Sequence, residues 1–154
     1  MIHTPNIITT ADQQYAALHL TVARNEIQKI MGPSLREVYA EVAAQGLSPA
    51  GPWFTHHLQR PNPVFDFEVC VPISTKIENR GRIEAKVWTA MTVARTELCG
   101  NYTGLAAAWG ELAAWTEKQG LKTAADLWEV YTMGPESSDD PADWRTEMNW
   151  QVLA

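Results

Sequence analysis

The sequence predicts an α+β fold built from duplicated β-α-β-β units, related by a pseudo-two-fold, with antiparallel sheets around a central ligand pocket. Three observations predict it. Short segments alternate apolar and polar residues with period two. Two longer segments carry apolar residues at helical spacing, and each ends in Gln-Gly-Leu. The order of these segments then repeats along the chain.

The first unit opens at Tyr15–Arg24, where Leu18, Leu20 and Val22 alternate with His19, Thr21 and Ala23. That pattern is a strand. A helix follows, with Pro33 expected to open its main piece. Leu35, Val38 and Val42 line one face, and Gly46 is placed to cap it. Trp53–Leu58 is a second strand. Gln59–Pro63 is a loop with two prolines, and Val64–Ile73 is a third strand. Ser74–Arg82 reads as a polar linker.

The second unit follows the same plan. Ala85–Thr96 is expected as one strand and Asn101–Gln119 as a helix with Leu105, Ala108, Trp109 and Leu112 inward. Leu127–Met133 and Trp144–Leu153 are strands around a loop. Thr21-Val22-Ala23-Arg24 recurs as Thr92-Val93-Ala94-Arg95, and Gln45-Gly46-Leu47 as Gln119-Gly120-Leu121. Thr55 then falls opposite Glu129, His57 opposite Tyr131, and Glu68 opposite Glu147. The boundaries are a tail at 1–14 and one domain at 15–153, with half-repeats at about 15–73 and 85–153.

Composition narrows the function. Of the 154 residues, 45% are hydrophobic and 19% charged, which suits a folded domain. The net charge of −6 repels phosphate backbones, so no nucleic-acid partner is expected. No apolar run reaches the ~20 residues of a membrane span, and the start does not read as a signal peptide. Cys70 and Cys99 have no Cys-x-x-Cys spacing. A cysteine-based metal or redox site is not expected, and a cytoplasmic location is.

Strand parity sorts the remaining side chains. Trp128, Val130, Met148, Trp150 and Val152 are expected to pack on a helix, with Val87, Met91 and Val93 inward. The opposite, cleft-facing set is Trp53, His57, Trp88, Glu129, Tyr131 and Glu147, with Leu127 alongside, and Glu68, which falls opposite Glu147 in the repeat, is a further ligand-binding candidate. A carboxylate among aromatics carries a desolvation cost that a ligand cation would offset. Each Trp or Tyr face would add about 0.5–2 kcal/mol of cation–π attraction. The same two carboxylates, Glu129 and Glu147, could instead serve as acid and base.

Four segments carry a family resemblance. Cys99-Gly100-Asn101-Tyr102 resembles the Gly-Pro-Tyr turn of GyrI-like domains, with Asn101 in place of proline. Trp128-Glu129-Val130-Tyr131 resembles that family's Glu-x-Tyr strand, and Asp66–Pro72 its Asp-x-Glu strand ending in proline. Thr146-Glu147-Met148-Asn149 resembles its last strand, with Asn149 where an aromatic is common. The likeness covers roughly residues 15–153. It implies the GyrI-like small-molecule-binding superfamily, which includes effector-binding domains of AraC- and MerR-type regulators. It implies a duplicated fold, drug-like aromatic or cationic ligands, multidrug binding, and Glu129 as the buried glutamate, with Tyr131 and Glu147 beside it. Only about 14 residues precede the first strand, too few for a helix-turn-helix, so a stand-alone member is expected.

Three functions stay open on this reading. One is a protein that binds or sequesters a small organic molecule, with no cofactor. Another is a cofactor-independent hydrolase of a strained or electrophilic aromatic compound. The third is a protein-inhibitor module. The adjacent His56 and His57 point to opposite strand faces and do not chelate together. Some relatives bind haem, but no axial-ligand context surrounds the histidines.

Overall fold

A computed structural model describes residues 2–60 and 64–153. Its secondary structure is eight strands and two α-helices among the described residues, divided between two compact units. Residues 11–90 form one unit, with β2 (Gln13–Ala23), α1 (Ile27–Ala44), β3 (Phe54–His57), β4 (Val64–Pro72) and β5 (Ile83–Trp88). Its antiparallel strand order is β3-β4-β2-β5. Residues 1–10 and 91–154 form the other, with β1 (Asn6–Thr9), β6 (Thr92–Cys99), α2 (Leu105–Lys118), β7 (Lys122–Met133) and β8 (Arg145–Leu153). Its order is β7-β8-β6-β1, also antiparallel. Each unit is therefore β-α-β-β with the last strand between the first two, plus one outer strand beside the first.

The registers test the repeat residue by residue. His56 pairs with Glu68, and Val130 pairs with Glu147. Superposing those pairs sets Thr55 on Glu129, His57 on Tyr131 and Glu68 on Glu147, as the sequence suggested. The helix ends match as well. Gly46 and Gly120 have φ of 73° and 72°. Leu47 N–H donates to the Val42 carbonyl at 3.0 Å, and Leu121 N–H to the Thr116 carbonyl at 2.9 Å. A glycine in the left-handed region lets the chain turn back and satisfy the last helical carbonyls. The Thr-Val-Ala-Arg match fails this test. His19 pairs with Glu68 and Glu97 pairs with Glu147, so Thr21 corresponds to Cys99 and not to Thr92.

Several boundaries differ from expectation. Ala85–Thr96 is two strands, β5 and β6, broken at Thr89–Met91. The Ala90 N–H donates to Asp12 Oδ1 at 2.6 Å, and Thr10 and Met91 exchange backbone and hydroxyl bonds, so side chains hold the break. α1 runs through Pro33 without stopping, and does not open there. α2 starts at Leu105, after a 3-10 turn over Tyr102–Gly104, whose Thr103 N–H is capped by Asn101 Oδ1 at 3.1 Å. β7 begins at Lys122, before an irregular pairing between Thr123 and Leu127. β1 lies inside the expected tail. Part of the predicted 59–63 loop lies outside the described residues.

Each helix covers its sheet through a narrow stripe. α1 buries Ser34, Val38 and Val42, one turn apart, and packs on β2 and β4. The fully buried Leu18, Phe67, Val69 and Val71 make the core of that unit. α2 buries Ala108, Trp109, Leu112 and Thr116. Its first three join Ala94, Leu98, Leu127, Met148 and Trp150 in one cluster. Trp109 meets Trp150 edge-on at 5.6 Å, and the Trp150 N–H donates to the Ala124 carbonyl at 2.7 Å. Each fully buried large side chain contributes about 1.5–3 kcal/mol, so these stripes dominate the stability of both units.

Candidate functional site

Glu129 sits in the middle of β7, 5% exposed. Its register partner is Met148, and its neighbours on the same face are Leu127 and Tyr131. Leu127 and Met148 belong to the cluster under α2, so Glu129 faces the helix. α2 supplies its first ligand: Trp109 Nε1–H donates to Oε2 at 2.6 Å. Tyr131 supplies the second, its hydroxyl donating to Oε1 at 2.7 Å. Both donors are neutral groups, and together they fix the orientation of the carboxyl group.

More aromatic rings continue from this pair. Tyr102 meets the Tyr131 ring at 5.6 Å and the Trp144 ring at 4.9 Å. The Tyr102 hydroxyl is buried and makes no hydrogen bond among the described residues. Burial, with the charges of Glu136 and Glu129 adding to it, pushes its pKa up to about 12. Gly134 leaves room for it, since a Cβ there would lie 2.6 Å from the phenol oxygen.

The equivalent carboxylate positions differ. Glu147 is on the opposite face from Glu129, because Val130 is its partner on β7. It lies 3.4 Å from Arg95 Nη2, accepts from Asn149 Nδ2 at 3.1 Å, and its side chain is 26% exposed. Its counterpart Glu68 is 6% exposed. Tyr15 donates to Glu68 Oε1 at 2.9 Å, His56 Nδ1 lies 3.0 Å from the same oxygen, and Lys86 Nζ lies 3.8 Å from Oε2. Burial pushes the Glu68 carboxyl up. The hydrogen bonds of His56 and Tyr15 and the charges of His56 and Lys86 outweigh it, leaving the group below the usual carboxylate value.

The predicted single face is thus overturned. Glu129 and Tyr131 are together, under α2, and not on a face turned away from the helix. Trp128 and Val130, expected against the helix, share the face of Asn149 and Glu147. In the 11–90 unit, His57 shares the face of Phe67 and stacks on its ring at 5.3 Å, with Thr55 Oγ1 3.1 Å from its Nε2. Glu68 is on the other face, with His56 and His19. Trp88 is buried against Phe54, ring centres 5.4 Å apart, and Trp53 is buried too. Val87, expected inward, is 49% exposed. The physical reason is that the strands bearing these residues are buried on both sides. Trp128 is 3% exposed and Leu127 0%, so hydrophobicity cannot tell one face from the other.

Trp109 is the functional candidate that the strands could not reveal, because it comes from a helix. Its indole N–H needs a buried acceptor, and that requirement was the available signal. Glu129 and Glu147 also cannot act as acid and base on one molecule, since the sheet separates them.

The fold and site define a class of small-molecule-binding domain. The chain belongs to the family of GyrI-like small molecule binding domains, which matches residues 3–153. No curated protein sequence matches it. The chain is similar to the EcmrR C-terminal domain, with 23% identity, a TM-score of 0.87, and 97% of both chains covered. In the EcmrR–DNA complex the match has a TM-score of 0.86 and spans 57% of the EcmrR chain. SAV2435 bound to tetraphenylphosphonium is similar at 12% identity and a TM-score of 0.66, covering 99% of this chain and 95% of that one. A hydrolase from Listeria innocua is similar at 10% identity and a TM-score of 0.66, with 97% and 91% covered. No helix among the described residues is long and apolar enough to cross a membrane.

Proposed function

We propose that this domain binds and sequesters a lipophilic, aromatic organic cation, with Glu129 as the charged anchor. The observation that carries the reading is a buried carboxylate fixed by two neutral aromatic donors, Trp109 and Tyr131. A carboxylate beside aromatic rings favours a cation with delocalised charge, which costs least to desolvate. The buried Tyr102 hydroxyl adds a donor for an acceptor atom on the ligand. SAV2435, with the same fold, holds tetraphenylphosphonium, a lipophilic aromatic cation. Two free thiols fit work in the reducing cytoplasm.

The test is titration of tetraphenylphosphonium and of neutral triphenylphosphine oxide, read by tryptophan quenching. Glu129→Gln is expected to weaken the cation by about tenfold, or about 1.4 kcal/mol, and the neutral compound by no more than about twofold. Equal losses for both would remove the charge from the account. Mass spectrometry of the incubated compound reads out hydrolysis in the same samples, and an unchanged mass is the expected result.

A further inference from the structure

The face of the 1–10/91–154 unit opposite Glu129 carries a second cluster. Alternation along β6 puts Glu97 and Cys99 on that face, two residues apart. His3 reaches them from the segment before β1. Its N–H donates to the Glu97 carbonyl at 3.0 Å, the Thr96 hydroxyl donates to the His3 carbonyl at 2.6 Å, and Ile2 bridges to Leu98. The imidazole is therefore placed by backbone pairing. Its Nε2 lies 3.2 Å from Cys99 Sγ, and its Nδ1 lies 3.8 Å from Glu97 Oε1. One ring bridges thiol and carboxylate through its two different nitrogens.

At 3.2 Å the imidazole can take the thiol proton, with the Glu97 carboxylate beside its other nitrogen. The three donor groups also lie within 4.8 Å of one another. The 3.2 Å contact from Nε2 to Sγ is a hydrogen-bonding distance, which suits proton transfer between thiol and imidazole. Glu97 Oε1 is 3.9 Å from the sulfur and opposes a thiolate, but Arg145 Nε is 3.9 Å from the same oxygen and is Cys99's partner across the ladder. Arg95 and Glu147 offset each other further along the face. Cys99 is half-buried and His3 exposed, so a reagent in solution can reach them, whereas Cys70 is fully buried.

We propose that Cys99, His3 and Glu97 form a thiol relay that reacts with soft carbon electrophiles, the class of haloacetamides and enones. This is independent of the Glu129 site. With a haloacetamide, the S–H proton moves to His3 Nε2 and the sulfur forms a bond to the halide-bearing carbon. The carbon–halogen bond breaks, the halide leaves with its electron pair, and the imidazolium returns its proton to solvent.

The experiment is labelling of the folded full chain with iodoacetamide at pH 7, mapped by peptide mass spectrometry. Cys99 is expected to react about tenfold faster than glutathione, with Cys70 unlabelled. His3→Ala is expected to remove that advantage and Glu97→Gln to reduce it, with circular dichroism unchanged. Cys99 reacting at the glutathione rate, Cys70 labelling first, or His3→Ala keeping the wild-type rate would each overturn the relay.

Discussion

Two buried glutamates at comparable depth show how partners decide behaviour. Glu129 accepts from an indole and a phenol, which orient its carboxyl group. Glu68 accepts from Tyr15 and sits against His56 and Lys86, which bring opposite charge. Glu68 therefore reads as a structural anchor as much as a ligand contact. Its carboxyl lies below the usual carboxylate value in the folded protein. The ionised form then adds stability above the unfolded value of about 4.3, and that contribution is lost as pH falls through the lower folded value. Glu68→Gln is thus expected to cost more stability at pH 7 than at pH 3, measured by urea unfolding. Equal costs at both values would show that the carboxylate charge contributes nothing.

The helices end alike because the same three residues close them. Gln45 and Gln119 take the cap position, and the glycines that follow adopt the same left-handed φ. A Cβ at either glycine meets nothing within 4 Å, so only backbone strain opposes a side chain there. Gly46→Ala and Gly120→Ala are each expected to cost about 1–2 kcal/mol, by similar amounts, in denaturant unfolding. A cost confined to one of them would mean that the two caps are not equivalent. β7 is the contrasting element. Its helix-facing side carries Leu127, Glu129 and Tyr131 and its other side Trp128 and Val130, so both sides are apolar enough to be core.

The chain does not divide into units in sequence order. β1 precedes the whole 11–90 unit yet pairs with β6, from Asn6 opposite Arg95 to Thr9 opposite Thr92. Deleting residues 1–10 is expected to open the β6 edge. Hydrogen exchange at Val93 and Arg95 should then speed up, while Leu18 and Val69 in the other unit keep their protection. Unchanged exchange along β6 would show that β1 does not protect that edge. The same deletion removes His3, which lies 96 positions from Cys99 and contacts it only through this pairing. Spacing rules look for ligands close together along the chain, so that cluster was invisible to them. By itself the sequence determined the two β-α-β-β units, their glycine-capped helices and the candidate glutamate, because periodicity and turn chemistry are local. The tertiary structure alone decided which face Glu129 takes and that Trp109 is its donor. Hydrophobicity marks burial but not direction, and a helix meets a strand only once the chain has folded.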